Sequence, residues 1–325
     1  MTNVAPRINS DKEERWDEDL KIAEGSIKTW LASYRPPGES RSELETRLAR
    51  TLVNSDWGPD LAHTIEQSPE VLTTLRSLTR RDMGTAQFAD FVGVGESVLS
   101  KFEQKLPTRT LPIDFSERCR DLILSELDSE LGNWILQQRP PTPEEVSKAV
   151  TIASDRLLRR RASTSLRYAH EPRQLGILSG FLDGLGYQET SGGTLTNPRM
   201  DMAPGTYSFR RSVAGSMVGG GDLMQSVDVV LKPLGSSTEQ LPVFIEAKSM
   251  TDKVNPNKRQ KEEAQKAASL RRKWGSTGET VHFLLLLGGT VPKRYLIVER
   301  DSGLDWIWEH RVEDLGPFLS AIVSS

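Results

Sequence analysis

The stretch VFIEAKSM, residues 243–250, opens as a buried β-strand and then sets a carboxylate and an ammonium one residue apart. Strand side chains alternate between faces, so Glu246 and Lys248 point the same way. Upstream, Asp228 interrupts a second β run, SVDVVLK, with Val227, Val229 and Leu231 expected on one face and the acid on the other. If the two strands pair, Asp228, Glu246 and Lys248 converge on one point. Two neighbouring carboxylates repel, and each resists burial. A divalent cation between them removes both difficulties. Mg²⁺ prefers carboxylate oxygens and waters with few protein ligands, and the Ala247 carbonyl offers one more oxygen. Lys248 would lie beside the attacking water or neutralise charge building on a phosphate. An acid, a gap and then Glu-x-Lys is thus a minimal set for phosphodiester hydrolysis. The spacing alone is common by chance. Here both acids interrupt strong β runs, and a basic helix follows.

That helix, NPNKRQKEEAQKAASLRRKW, has Asn255 as its expected cap and Pro256 at its start. Ala264, Ala267, Leu270 and Trp274 share one face, and Lys258, Lys261, Gln265, Ser269 and Arg272 fall opposite. The apolar face suits a sheet and the other a phosphate backbone, or simply solvent. Asn257, Lys258 and Arg259 follow Lys248 closely in either case. Residues 253–273 hold eight Lys or Arg against two Glu, and residues 156–173 hold six Arg against one Glu. These two basic runs are compatible with a polyanion-binding face, although the whole chain of 325 residues has a net charge of only −3. Glu171 shares a helical stripe with Leu175, Leu178 and Leu182, so it is expected to point toward the sheet. It is a candidate third acid, or a helix N-terminal Glu favoured by the macrodipole.

Other chemistries are poorly served. A single cysteine, Cys119, rules out an intrachain disulfide and a cysteine-based zinc site. Four scattered histidines do not suggest a metal cluster, and His282 and His310 read as structural. Trp306 and Trp308 alternate like packed strand residues. Neither a G-x-S-x-G nor a P-loop occurs, and the Gly-rich GSMVGGGD reads as a flexible loop. No apolar run reaches membrane-spanning length and the start lacks a signal peptide, so a cytoplasmic protein without membrane association is expected.

The elements that must position these residues divide in two. Residues 12–150 read as mostly helical, with Trp16, Leu20, Ala23, Ile27, Trp30 and Leu31 as an amphipathic stripe, Ser40 or Ser42 as a cap, and helices over SPEVLTTLRSLTRR and SERCRDLILSELDSELGNWIL. RPPTPEE (139–145) reads as a linker. Beyond it the pattern predicts a helix over EPRQLGILSGFLDGLGY, strands over DVVLKPL and VFIEAKSM, the basic helix, strands over VHFLLLLGG and RYLIVER, and a closing helix over VEDLGPFLSAIV. The fold class is α/β, a mixed central sheet with flanking helices, preceded by a mostly α-helical region. The expected division is 1–142, helical, and 143–325, catalytic. GTAQFADFVGVGESVLSKFEQKLP (84–107) resembles a helix-turn-helix or a plain helical hairpin, with Val98 and Phe102 packing its second helix and Ser97, Ser100 and Lys101 free for DNA.

DVV followed by FIEAKSMTDKVNPNKRQKEEAQK, then GLDWIWEHRVEDL, with the opening INSDKEERWDEDLKIAEGSIKTWL, resemble the XamI-like type II restriction endonucleases of the broad PD-(D/E)XK nuclease group. The resemblance implies a PD-(D/E)XK core and Mg²⁺-dependent, site-specific cleavage of double-stranded DNA. By position, Asp228 matches the first acid, Glu246 the second and Lys248 the lysine, with Glu171 a less sure upstream match. Val227 stands where the group's nickname has Pro. DNA contacts are expected from Asn257, Lys258, Arg259 and Lys261, and from Arg210 and Arg211 in YSFRRS. A homodimer suits a palindromic site, and a cognate DNA methyltransferase is the expected functional partner. The rival expectations are a structure-specific repair or junction nuclease on the same core, a non-catalytic helix-turn-helix DNA-binding protein, and an α/β protein with an incidental Glu-x-Lys.

Overall fold

The computed structural model describes residues 6–57, 60–108, 111–250, 256–275 and 280–324. Contacts divide the chain into two units, residues 36–167 and a second formed by residues 1–35 with 168–325. This division differs from the expected boundary at 142/143.

The first unit is helical: α1 (Trp16–Ser33) lies outside it, and it holds α2 (Arg41–Asn54), α3 (Leu61–Gln67), α4 (Val71–Ser77), α5 (Thr85–Val92), α6 (Glu96–Glu103), α7 (Phe115–Glu126), α8 (Asn133–Leu136) and the first part of α9 (Pro143–Gly184). Ser40 and Glu43 form a reciprocal capping box at the start of α2. Leu44, Leu48, Leu72, Leu75, Phe88, Leu99, Ile123 and Trp134 are among the residues of its apolar core. The helix expected from SERCRDLILSELDSELGNWIL is broken, because Leu127 leaves the helix and bridges to Thr79. The hairpin α5–α6 is present, with Gly93 in the left-handed conformation at the α5 C-terminus. Leu99, rather than Val98, is the fully buried residue of α6. Much of the Arg-rich run turns inward. Arg156 donates to the carbonyls of Ser77 and Thr79, and Arg160 to that of Met83 at 2.7 Å. Arg156 thereby caps the last carbonyl of α4.

In the second unit, the last turns of α9 precede β1 (Gln188–Glu189), β2 (Thr194–Leu195), β3 (Thr206–Ser216), β4 (Asp222–Lys232) and β5 (Val243–Met250). Then come α10 (Pro256–Trp274), β6 (Phe283–Gly289), α11 (Lys293–Asp301), β7 (Asp305–Trp308) and α12 (Leu315–Ser324). The seven-stranded sheet runs β1-β3-β4-β5-β6-β7, with β2 also on β3. Strands β3, β4 and β5 are antiparallel neighbours, whereas β5, β6 and β7 are parallel. GSMVGGGD forms the β3–β4 turn, as a loop was expected. RYLIVER forms α11 and not a strand. Its β-branched and aromatic residues imitate a strand, but Tyr295, Leu296 and Glu299 are the buried ones, a helical spacing. Likewise EPRQLGILSGFLDGLGY is the end of a 42-residue helix that continues through Pro172.

Each face of the sheet has its own core. Phe244, Leu285, Leu287, Trp306 and Trp308 pack with Trp16, Ala267, Leu270 and Leu296. Val243, Ile245, Leu284, Leu286 and Ile307 pack with Leu175, Leu178, Leu182 and Phe318. The amino-terminal segment belongs to this unit because Asp305 accepts the backbone amides of Asn9 and Ser10, and Trp16 lies 5.3 Å from Trp306. No helix among the described residues is long and apolar enough to cross a membrane.

Candidate active site

The β4–β5 ladder pairs Leu231 with Val243, Val230 with Phe244 and Val229 with Ile245. The next step would set Asp228 directly across from Glu246, on one face. The ladder stops there. The Ala247 amide, which would pair with β4 had the strands stayed together, donates instead to Asp228 Oδ2 at 2.8 Å. A side chain has replaced a backbone rung, and the strands part where the acids stand. On the other side of Asp228, the register sets Arg210 opposite it, and Arg210 has φ of 52°. Left-handed backbone costs a non-glycine residue on the order of 1–2 kcal/mol. The expected alternation of β4 also breaks at this point. Val229 and Leu231 pack with the α9–α12 core, but Val227 packs with the α10 side. The irregularity is confined to the position of the first acid.

Glu246 is buried, and its Oε1 accepts from Lys266 Nζ at 2.6 Å. Lys248 Nζ lies 3.6 Å from the same Oε1 and 3.4 Å from Glu263 Oε1. Burial, and next the Glu246 carboxylate, push Asp228 up to about 6, against the pull of the Ala247 amide and the two lysines. Burial opposes charge on Lys248, but Glu246, Glu263 and Asp228 outweigh it and hold the ammonium above the ordinary lysine range. A cleft of about 370 Å³ opens on this cluster, lined by Gln225, Glu246, Lys248, Glu262, Glu263, Gln265 and Lys266.

Glu246 Oε2 is buried without a hydrogen-bond partner. Such an orphan costs about 1–3 kcal/mol unless something meets it. It faces a site where a second carboxylate raises the repulsion, so a hard divalent cation fits the donor set. Among the described residues, no group of three or more His, Cys, Asp or Glu is arranged to hold a metal. Two carboxylates with a backbone carbonyl suit Mg²⁺, which keeps most of its waters, better than zinc.

The family model of the XamI restriction endonuclease matches residues 60–308. The chain belongs to the XamI restriction endonuclease family. The matched span carries Asp228, Glu246 and Lys248. A relative, the type II restriction enzyme SalI of Streptomyces albus G, is 33% identical over 322 residues, covering 95% of this chain and 98% of that enzyme. Among solved structures, that of protein VC1899 from Vibrio cholerae matches 88% of this chain and 57% of that chain at 13% identity. Its TM-score of 0.27 is too low to add anything to the fold described above.

The other expected residues of this XamI-family chain fall in different places. Glu171 reaches the sheet at Arg210 of β3 and not at Asp228 or Glu246. Its side chain is 42% exposed and receives Arg210 Nε at 2.9 Å. Arg210 is itself exposed on β3, between the paired residues Phe209 and Arg211. Arg211 is buried and braces its own strand, donating to the Ser191 carbonyl and to Ser208 Oγ. Lys261 is exposed on α10, while the side chains of Asn257, Lys258 and Arg259 lie outside the described residues, as does Asn255. Ser269, expected on the polar face, is buried, and with Arg272 it donates to the Ser216 carbonyl of β3. Trp306 and Trp308 are buried, and His310 meets Asp19, so all three are structural as expected. Sequence reasoning missed Lys266, Glu263, Tyr295 and Glu299. Glu263 was signalled by its position one turn before Ala267 on the apolar stripe of α10. Tyr295 and Glu299 were hidden by the strand reading of α11.

Proposed function

We propose that this XamI-family restriction endonuclease hydrolyses one phosphodiester bond in each strand of duplex DNA at a specific site, with Mg²⁺ held by Asp228 and Glu246. The observation that carries this reading is the Asp228 carboxylate on the Ala247 amide, beside Glu246 where β4 and β5 part, with Glu246 Oε2 left unpartnered and Lys248 two residues on. When bound, Mg²⁺ supplies Lewis-acid activation and neutralises charge on the phosphate. Glu246 Oε2 and Asp228 offer the oxygens for it. Lys248 directs its ammonium into the cleft, where it orients the attacking water and stabilises charge on the reacting phosphate. Lys266 holds the other Glu246 oxygen and fixes the carboxylate plane.

Arg210 and Lys261, both exposed, would contact the sugar–phosphate backbone, together with the start of α10. Glu171 then holds Arg210 in place rather than serving as a third acid. The α5–α6 hairpin, with Ser97 and Lys101 exposed, is a further candidate DNA contact. Cutting both strands of a palindromic site calls for a homodimer. A cognate methyltransferase would protect host DNA, and both would work in the cytoplasm. Purified protein is incubated with methyl-free plasmid DNA and Mg²⁺, and the products are resolved on a gel. Discrete fragments are expected, and Glu246→Ala abolishes them while DNA binding persists. Cleavage of branched or flapped DNA without discrete plasmid bands would point to the repair nuclease instead.

A further inference from the structure

Lys248 has four rotatable side-chain bonds, and its ammonium needs a fixed place if it is to act on one phosphate. Glu246 cannot fix it alone, because Lys266 already occupies Glu246 Oε1 at 2.6 Å. The second anchor is Glu263, whose Oε1 lies 3.4 Å from Lys248 Nζ. Glu263 is buried at the back of the cleft, and its other oxygen accepts the Tyr295 hydroxyl. Tyr295 and Glu299 sit one turn apart on α11, both buried, and Glu299 lies close enough to Tyr295 and Glu263 to feel both. A buried acid beside another acid persists only if one carries a proton. Burial, and next the charge of Glu263, raise Glu299 to about 8, so Glu299 is protonated at neutral pH.

We propose that Glu263, oriented by Tyr295 and Glu299, is a positioning residue that sets Lys248 in the catalytic cleft. The proposal rests on the reading of Lys248 given above. Three buried side chains thereby brace the flexible member of the reacting set. Glu263 also draws Lys248 off Glu246, so that Lys248 does not settle on the carboxylate that must take the ion.

The test compares wild type, Glu263→Gln, Tyr295→Phe and Lys248→Ala on a duplex carrying the mapped site. Three quantities are measured for each: the single-turnover cleavage rate with Mg²⁺, the DNA dissociation constant without Mg²⁺, and the thermal midpoint. For Glu263→Gln the rate is expected to fall about 100-fold, the penalty of a misplaced catalytic group. For Tyr295→Phe a smaller fall is expected. Both should keep DNA affinity within about twofold of wild type, and the midpoints should not track the rates. A wild-type rate in both variants overturns the proposal, as does weakening of DNA binding in proportion to the rate. If Glu263→Gln does not fold, Tyr295→Phe decides on the same criteria. Lys248→Ala separates the two claims. If it cuts at the wild-type rate, the reading of Lys248 is wrong; if it is inactive while the other variants cut normally, only the bracing is wrong.

Discussion

At the scale of single residues, the cluster is held under electrostatic tension that a cation would relieve. Asp228 ionises with difficulty, raised to about 6 by burial and by Glu246. A folded-state value above the unfolded one means that the stability it contributes is present at low pH and lost as pH rises through about 6. At pH 7.5 the ionised acid therefore destabilises the metal-free protein by about 1–3 kcal/mol. Asp228→Asn keeps an acceptor for the Ala247 amide without the charge. It should melt several degrees above wild type in EDTA while being inactive. Addition of Mg²⁺ at ten times its dissociation constant should stabilise wild type by about 1.4 kcal/mol and leave Asp228→Asn unmoved, as read by calorimetry. Glu299 gives a second pH signature. Raised to about 8, it stays protonated in the fold while the unfolded chain ionises, so wild type loses stability between about pH 4.5 and 8. Glu299→Gln mimics the protonated form. Its melting temperature should exceed that of wild type above pH 7, and the difference should shrink toward pH 5.

At the scale of elements, the close approach of β5 and β6 carries the site. Gly289 has φ of 82°, and a Cβ there would lie 2.2 Å from the Met250 carbonyl that ends β5. Gly289→Ala should destabilise the protein by about 2–3 kcal/mol in urea titrations, by backbone strain and by displacement of the strand end that carries Lys248. The strands bearing Asp228, Glu246 and Lys248 were legible in the sequence, because an acid inside a run of β-branched residues is conspicuous. Helix α10 was legible too, since its apolar stripe has a helical period. What escaped was the partnering. A wheel drawn for apolar residues ignores an acid on the buried face, so Glu263 and Lys266 were passed over. The β-rich letters of residues 295–298 outweighed their spacing and concealed α11. The parting of β4 from β5 is likewise unreadable from sequence, because it depends on a side chain taking a backbone amide across strands. The partner of Glu171 was hidden for a similar reason. The stripe of Glu171 was correct, but the side chain is drawn to Arg210.

At the scale of the whole chain, the first helix belongs with the last strands. Ile8, Asn9 and Trp16 are buried against residues 304–306, nearly 300 positions later in sequence. The linker-like RPPTPEE therefore marks the start of a long helix and not a domain border. A fragment of residues 143–325 should consequently fail to fold cooperatively. Trp16→Ala in the full chain should lose about 3–5 kcal/mol, the usual penalty for emptying a buried aromatic site. Denaturation followed by tryptophan fluorescence checks both.

Central to the whole account is one shared ion between two neighbouring acids, serving the cleavage of DNA. Its most direct test is digestion of methyl-free plasmid by wild type, Asp228→Asn and Glu246→Ala, each with Mg²⁺ and with EDTA, alongside a gel-shift measurement of DNA binding. Wild type should give discrete fragments with Mg²⁺ alone, and both variants should bind DNA and cut none. Discrete fragments from either variant, or from wild type in EDTA, would contradict the assignment.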